Sequence, residues 1–271
     1  MASMQEALAT IDNDDVRHIV PVSGGKDSAA LAIYMRQTYP QIPVEYVFSD
    51  TQSELPETYE FLEKLEALLG KDIHRINALD YMNVQRKPGR NVFDFFLEEL
   101  YSGFLPSPHA RWCTINMKIK PFEAYVGNST AYSYIGIRGD ENREGYTPNK
   151  KPPKISEKQN IIPVYPFKDD GKTLQDIKQI LETSGLGLPD YYQWRSRSGC
   201  YFCFYQQVGE WQRLKETHPD LFEKAKQYEK KNGSKHYTWV EGRTLEDIEK
   251  LQVKHEVKDV DEVEGCAICH I

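Results

Sequence analysis

The sequence predicts an α/β protein: a doubly wound parallel sheet followed by a helical, cysteine-bearing C-terminal region. Three observations carry that expectation. Between residue 17 and about 165, β-branched and aromatic runs alternate with helix-period patterns, as strands separated by crossover helices do. The first of those runs enters the glycine turn "SGGKDS" (23–28) and leaves as a helix. From Lys168 onward the periodicity is helical, and two Cys-x-x-Cys pairs, Cys200/Cys203 and Cys266/Cys269, lie in that half. The implied boundaries are an N-terminal tail over 1–16, an α/β domain over 17–166 and a helical region over 167–271.

Each element has its own signal. "RHIVPV" (17–22) is a short apolar run ending in glycines, which suits a buried strand. "DSAALAIYMRQTY" (27–39) sets Ala30, Ile33 and Tyr34 on one helical face. "PVEYVFSDT" (43–51) reads as a second strand with the polar tip Ser49-Asp50-Thr51. "ELPETYEFLEKLEALLG" (54–70) has an acidic first turn, apolar positions Phe61, Leu62, Leu65, Leu68 and Leu69, and Gly70 as its stop. "DIHRIN" (72–77) and "AYSYIGIRGDE" (131–141) supply a third and a fourth strand. Strands alternating with helices imply a parallel sheet covered on both faces. "TPNKKPPKISEKQN" (147–160) is polar, basic and proline-rich, a loop over the site, because "IIPVYPF" (161–167) resumes a strand pattern. Helices follow at 173–185, 208–233 and 244–255.

With 271 residues, 39% of them hydrophobic, the chain can bury a sizeable core. No apolar run approaches the ~20 residues of a membrane span. The start, "MASMQEALATIDNDD", lacks a basic-then-apolar signal segment, so a cytoplasmic location is expected. The net charge of −7 argues against a general nucleic-acid coat but leaves room for a local basic groove. In that compartment the cysteines favour metal or redox chemistry over structural disulfides.

A strand–turn–helix junction presents unpaired backbone N–H groups at the positive end of a helix, which attracts phosphate. Gly24 and Gly25 allow close backbone approach, Ser23 and Ser28 offer hydroxyls, and Lys26 supplies a cation. Asp27 would repel phosphate unless it holds Mg²⁺ or caps the helix. The GxxxxGK[ST] phosphate loop is absent.

These residues resemble the pyrophosphate-binding loop of the PP-loop ATP pyrophosphatases, the adenine nucleotide alpha hydrolases, which have a Rossmann-like fold. Four further stretches are similar to the phosphoadenylylsulfate (PAPS) reductase branch. They are "VFSDTQSELPETYEF" with Asp50, Thr51, Glu54, Pro56, Glu57 and Thr58; "RWCTINMKIKP" with Arg111, Cys113, Lys118 and Pro121; "GIRGDENRE" with Gly136, Arg138, Asp140, Glu141 and Arg143; and "GLPDYYQWRSRSGCYFC". The resemblance implies that Ser23–Ser28 grip the β and γ phosphates of ATP with Mg²⁺ on Asp27, leaving the α phosphorus open to attack. Asp50 or Thr51 would contact ribose or base at the end of the second strand. Arg111, Lys118, Arg138 and Arg143 would neutralise phosphate charge, with Gly136 and Asp140 beside them. Lys26, Asp27, Lys118, Arg138 and Cys113 are the expected catalytic groups.

Cys113 with Cys200 and Cys203 resembles three ligands of a [4Fe–4S] cluster, with Thr114 where adenylylsulfate reductases have a second cysteine. Cys266 or Cys269 would complete the set, or one iron would stay open to carry sulfide. A closed Zn²⁺ site of Cys200, Cys203, Cys266 and Cys269 is the competing arrangement. The ending "EGCAICHI" departs from the Glu-Cys-Gly-Ile/Leu-His end of PAPS reductases. The expected activity is therefore cleavage of ATP to AMP and pyrophosphate, adenylating an acceptor for sulfur transfer. Reduction of PAPS or adenylylsulfate to sulfite is one rival; an ATP-hydrolysing or nucleotide-sensing module with structural zinc is another. The basic "KPPK" (151–154) and "RSRSG" (195–199) admit a nucleic-acid acceptor, and a sulfur-donor protein or larger assembly is an expected partner. A dimer is compatible with the sequence, which does not set the oligomeric state.

Overall fold

The computed structural model of the chain describes residues 2–82, 84, 87–141, 156, 158–230 and 237–257. A short helix α1 (Met4–Leu8) precedes β1 (Val16–Pro21), α2 (Lys26–Thr38), β2 (Val44–Ser49), α3 (Pro56–Leu69) and β3 (Ile73–Ile76). The chain returns through α4 (Val92–Phe95), α5 (Trp112–Thr114) and α6 (Lys120–Val126) to β4 (Thr130–Tyr134) and then β5 (Ile161–Val164). Six helical segments remain in view: α7 (Pro166–Asp169), α8 (Leu174–Thr183), a 3₁₀ turn (Asp190–Gln193), α9 (Val208–Thr217), α10 (Pro219–Lys230) and α11 (Leu245–Glu249). Among the described residues, no helix is long and apolar enough to cross a membrane.

The five strands stand in the order β3-β2-β1-β4-β5, and every ladder is parallel. This is the expected doubly wound, Rossmann-like sheet. Because β1 is central and the winding reverses between β1 and β4, a crevice opens at the carboxyl ends of those two strands. Ligands of open α/β sheets bind in such a crevice.

Period-2 alternation explains why both faces are covered. Val20, Tyr46, Phe48, Tyr132 and Tyr134 point to the side packed by α2, α3 and α8, with Leu31, Leu65 and Ile177 against them. Ile19, Val47, Ile76 and Ala131 point to the other side, where α6 supplies Phe122 and Val126. Each fully buried side chain of this size stabilises the fold by about 1.5–3 kcal/mol relative to exposure.

A second, aromatic core anchors the cysteine-bearing region. Phe93 lies between Trp112 (ring centroids 5.4 Å apart), Phe202 (4.1 Å) and Tyr228 (5.0 Å), and Trp239 stacks on Phe202 at 5.2 Å. Phe202 lies between Cys200 and Cys203, so this packing fixes the Cys-x-x-Cys turn against α4, α5 and α10.

Several elements differ from expectation: the helix expected over 244–255 ends at Glu249, and the expected tail 1–16 carries α1, whose Met4 and Ala7 join the main core. The helix expected over 208–233 is broken at His218 (φ −136°), because the residue before Pro219 is pushed out of the helical region. The fourth strand ends at Tyr134, and the chain then turns so that Gly136 approaches the first turn of α2. A Cβ on Gly136 would stand 3.1 Å from the Asp27 carbonyl oxygen.

Candidate active site

The glycine turn lies at the switch point. Gly24 takes φ +75°, and Gly25, the N-cap residue of α2, has no side chain with which to satisfy the first-turn amides. Ser28 folds the turn: its Oγ accepts from the Ser23 amide at 3.0 Å and donates to the Gly25 carbonyl at 3.1 Å. Neighbours press closely on both glycines. A Cβ on Gly24 would stand 2.5 Å from Thr58 Cγ2, and one on Gly25 would stand 2.6 Å from Ser198 Oγ. The Lys26 amide donates to the Tyr192 hydroxyl at 3.3 Å, while Lys26 Nζ stands 5.2 Å from the Tyr192 ring centroid and 3.6 Å from Asp27 Oδ2.

Arg138, only 3% exposed, is the hub of the second strand end. Its guanidinium donates to Asp27 Oδ1 (2.9 Å) and Asp140 Oδ1 (2.9 Å) and stands 3.1 Å from Glu141 Oε1. Burial opposes its charge, but Asp27 and Glu141 outweigh burial and hold its pKa above the usual arginine value. Burial likewise raises the Asp140 pKa, yet the Leu174 amide and Arg138 together hold it below the usual carboxylate range. Asp27 is thus tied to a residue 111 positions away.

At the tip of β2, Asp50 accepts from the Gln52 amide and from the Tyr59 hydroxyl, both at 2.8 Å. Gln52 is exposed and has φ +57°, a left-handed conformation that strains any residue except glycine. The strain of roughly 1–2 kcal/mol exceeds the extra chain entropy glycine loses, about 0.5–1 kcal/mol. Gln52→Gly is therefore expected to stabilise the protein by about 0.5–1 kcal/mol in denaturant melts. A loss of stability instead would mean that the Gln52 side chain makes a contact that outweighs its backbone strain.

Cys113, Cys200 and Cys203 line one small cavity, partly open to solvent, together with Thr51, Lys118 and Arg197. None of the three is in a disulfide. A widened π turn, Ile115–Ile119, aligns Cys113 with Lys118. In an α-helix, residues five apart point about 140° away from one another; an i→i+5 turn brings them to one side. Cys200 Sγ lies 3.3 Å from Thr51 Oγ1 and 3.6 Å from Glu54 Oε1, and Lys118 Nζ is 3.8 Å from Glu54 Oε1. Burial, with the Glu54 charge adding to it, pushes the Cys200 thiol well above its ordinary pKa. Arg195, 2% exposed, donates to the carbonyls of Gly199 (2.8 Å) and Cys200 (2.7 Å) and braces the turn.

Among the described residues, no group of three or more His, Cys, Asp or Glu converges on a single-ion position. Three thiols around one cavity nevertheless fit the donor chemistry of a cluster, which is wider than one ion and takes thiolates from further apart. Mg²⁺ needs only one or two carboxylates besides substrate phosphates; at the loop that carboxylate is Asp27, with Oδ1 on Arg138 and Oδ2 3.6 Å from Lys26 Nζ. The zinc alternative turns on Cys266 and Cys269, which lie outside the described residues, as do Arg143 and the 151–154 patch.

Of the expected site residues, Ser23–Ser28, Gly136, Arg138 and Asp140 gather at one crevice. Thr51, Cys113, Lys118, Cys200 and Cys203 gather at the cavity, and Arg111 stands 5.8 Å from the Tyr205 ring at its rim side, where Arg197 stands 4.5 Å from the same ring. Arg195 and Ser198 lie in the basic "RSRSG" stretch expected near the mouth, but neither they nor Tyr192 are among the expected site residues, and their contacts with the cysteine turn and the glycine turn are new. The only sequence signal for them is the hydroxyl- and arginine-rich run "YYQWRSRS" just ahead of the cysteines.

A family model described as phosphoadenosine phosphosulfate reductase domain matches residues 17–213. An uncharacterized protein of Methanocaldococcus jannaschii is 26% identical over 207 residues, covering 74% of this chain and 45% of that protein. A tRNA-specific 2-thiouridylase of Vibrio vulnificus is 29% identical over 151 residues, covering 53% of this chain and 38% of that protein. The chain thus spans less than half the length of these relatives. The solved PAPS reductase of Candida auris, a phosphate complex, superposes with TM-score 0.48 at 16% identity, over 73% of this chain and 88% of that one.

Proposed function

The chain belongs to the phosphoadenosine phosphosulfate reductase domain family of the PP-loop superfamily, and from that premise we propose that it is an ATP-cleaving enzyme of sulfur transfer. An acceptor oxygen attacks the α phosphorus of ATP, the bond to the β-phosphate oxygen breaks, and pyrophosphate leaves. A sulfur nucleophile then attacks the adenylated carbon of the acceptor, and AMP departs with the former acceptor oxygen.

The observation that carries the reading is the pairing of two sites. The amides of Gly25 and Lys26, held by long hydrogen bonds to the hydroxyls of Ser23 (3.4 Å) and Tyr192 (3.3 Å), lie at the switch point, and a cavity lined by three cysteines is reached along one short stretch of chain, 191–203. The amides and Lys26 bind the β and γ phosphates, and Mg²⁺ on Asp27 supplies charge neutralisation when bound. Arg138 holds Asp27 in position. Lys118 supplies positive charge at the cavity side, where Cys113, Cys200 and Cys203 would hold the [4Fe–4S] cluster, which when bound supplies a site for sulfide. The aromatic walls of Phe93, Phe202, Phe204, Tyr205 and Trp239, rimmed by Arg197, suit a planar acceptor such as a nucleobase. The similarity to a tRNA-specific 2-thiouridylase supports a nucleic-acid acceptor.

The test is to purify the full chain without oxygen and to measure iron content, AMP and pyrophosphate from Mg-ATP, and sulfite from PAPS. Iron together with pyrophosphate release that disappears in a Lys26→Ala, Asp27→Ala variant is expected. Sulfite formed from PAPS with no ATP turnover would instead identify a reductase, and colourless protein with stoichiometric zinc would remove the cluster.

A further inference from the structure

Two adjacent tyrosines grip the phosphate turn with opposite polarity. The fully buried Tyr191 donates its hydroxyl proton to the Gly24 carbonyl at 2.7 Å. Tyr192, partly exposed, accepts from the Lys26 amide at 3.3 Å. An incoming phosphate does not compete for a carbonyl, because both are acceptors. It competes directly for the Lys26 amide. A charged phosphate oxygen is a shorter and roughly twofold stronger acceptor than a neutral phenol, and one N–H cannot satisfy both well. Ser198 stands at the same turn, 3.5 Å from Ser23 Oγ and beside Gly25.

We propose that Tyr192 and pyrophosphate compete for the Lys26 amide, and that pyrophosphate binding displaces Tyr192 and thereby loosens the strap 192–203 that carries Cys200 and Cys203. The proposal rests on Ser23–Ser28 being the phosphate site. Tyr191 is the pivot, since its bond survives occupancy. Arg195 ties the carbonyls of Gly199 and Cys200 into one unit, so displacement at Tyr192 and Ser198 is felt at the cysteine turn. Beyond that unit, the Tyr201 amide donates to the Ser53 carbonyl at 2.9 Å and Cys200 touches Thr51 at the β2 tip. Nucleotide occupancy is thus reported to the cysteines through one continuous segment, and Tyr192 is its positioning residue.

The test is hydrogen exchange of the full chain, with and without inorganic pyrophosphate and Mg²⁺, read by mass spectrometry, with calorimetry of pyrophosphate binding alongside. In the wild type, amides 24–27 become protected and amides 199–203 exchange several-fold faster. In Tyr192→Phe, which keeps the ring, pyrophosphate binds about 2–10-fold tighter, as loss of one competing neutral hydrogen bond predicts. Its amides 199–203 exchange fast already and do not respond. Protection of 24–27 with unchanged exchange at 199–203 in the wild type overturns the coupling, and so does weaker binding by Tyr192→Phe. Absence of protection at 24–27 overturns the phosphate seat itself, and the coupling with it.

Discussion

Gly24→Ala is expected to abolish nucleotide binding and to lower stability by about 2–5 kcal/mol. Two effects add. The backbone at Gly24 is left-handed (φ +75°), which costs an L-residue roughly 1–2 kcal/mol. The new methyl would also stand 2.5 Å from Thr58 Cγ2, and Thr58 is 1% exposed on α3, so it has nowhere to turn. Overpacking of that kind costs about 1–3 kcal/mol. Relief can come only from moving the turn, which swings the Gly25 and Lys26 amides off the phosphates. Gly70 provides the control: it is equally left-handed (φ +61°), but a Cβ there meets nothing within 4 Å. Gly70→Ala should lose only the backbone part and keep full nucleotide affinity. Denaturant melts and ATP titration of both variants check this; equal losses in the two would show that Thr58 does not confine the turn.

Arg138→Met is expected to be the most damaging side-chain change at the crevice, costing about 3–5 kcal/mol at neutral pH. The guanidinium is buried and faces Asp27, Asp140 and Glu141, so its removal leaves nearby carboxylates without their common cation. The pH dependence gives a signature. In the wild type Asp140 titrates below its unfolded value, so its contribution is present above the unfolded carboxylate pKa, roughly 3.9, and is lost as pH falls through the folded value. In the variant Asp27, Asp140 and Glu141 lose the guanidinium that they share and repel one another. Their penalty is full at neutral pH and shrinks as acid neutralises them. The stability gap between variant and wild type should therefore narrow between pH 7 and about 4. A gap that stays constant with pH would mean that the loss is one of packing alone.

How far the sequence reveals this protein depends on whether a feature is local. The strands announce themselves through β-branched runs, and Ser23–Ser28 through its glycines, because both are set by neighbouring residues. The doubly wound sheet follows from the alternation and is found. The break at His218 was also written locally, in Pro219, but the amphipathic pattern continues across it and hides it. What chain periodicity does not reveal is tertiary. Arg195 and Arg197 both belong to "RSRSG", yet Arg195 is buried beneath carbonyl oxygens while Arg197 faces the cavity. Arg138 is expected to face phosphate, and in the structure its partners are three carboxylates, one of them more than a hundred residues distant. The convergence of Cys113 with Cys200 and Cys203 follows from the family resemblance. The π turn that aims Lys118 beside them leaves no trace in the hydrophobic pattern.

The backbone amides of Gly25 and Lys26 are the proposed seat of a nucleotide's phosphates. A crystal structure with a non-hydrolysable ATP analogue and Mg²⁺ tests this most directly. It is predicted to show the β and γ phosphoryl oxygens accepting from those amides, with the α phosphorus facing the cavity of Cys113, Cys200 and Cys203. Phosphoryl groups bound elsewhere, with Tyr192 still on the Lys26 amide, would contradict it.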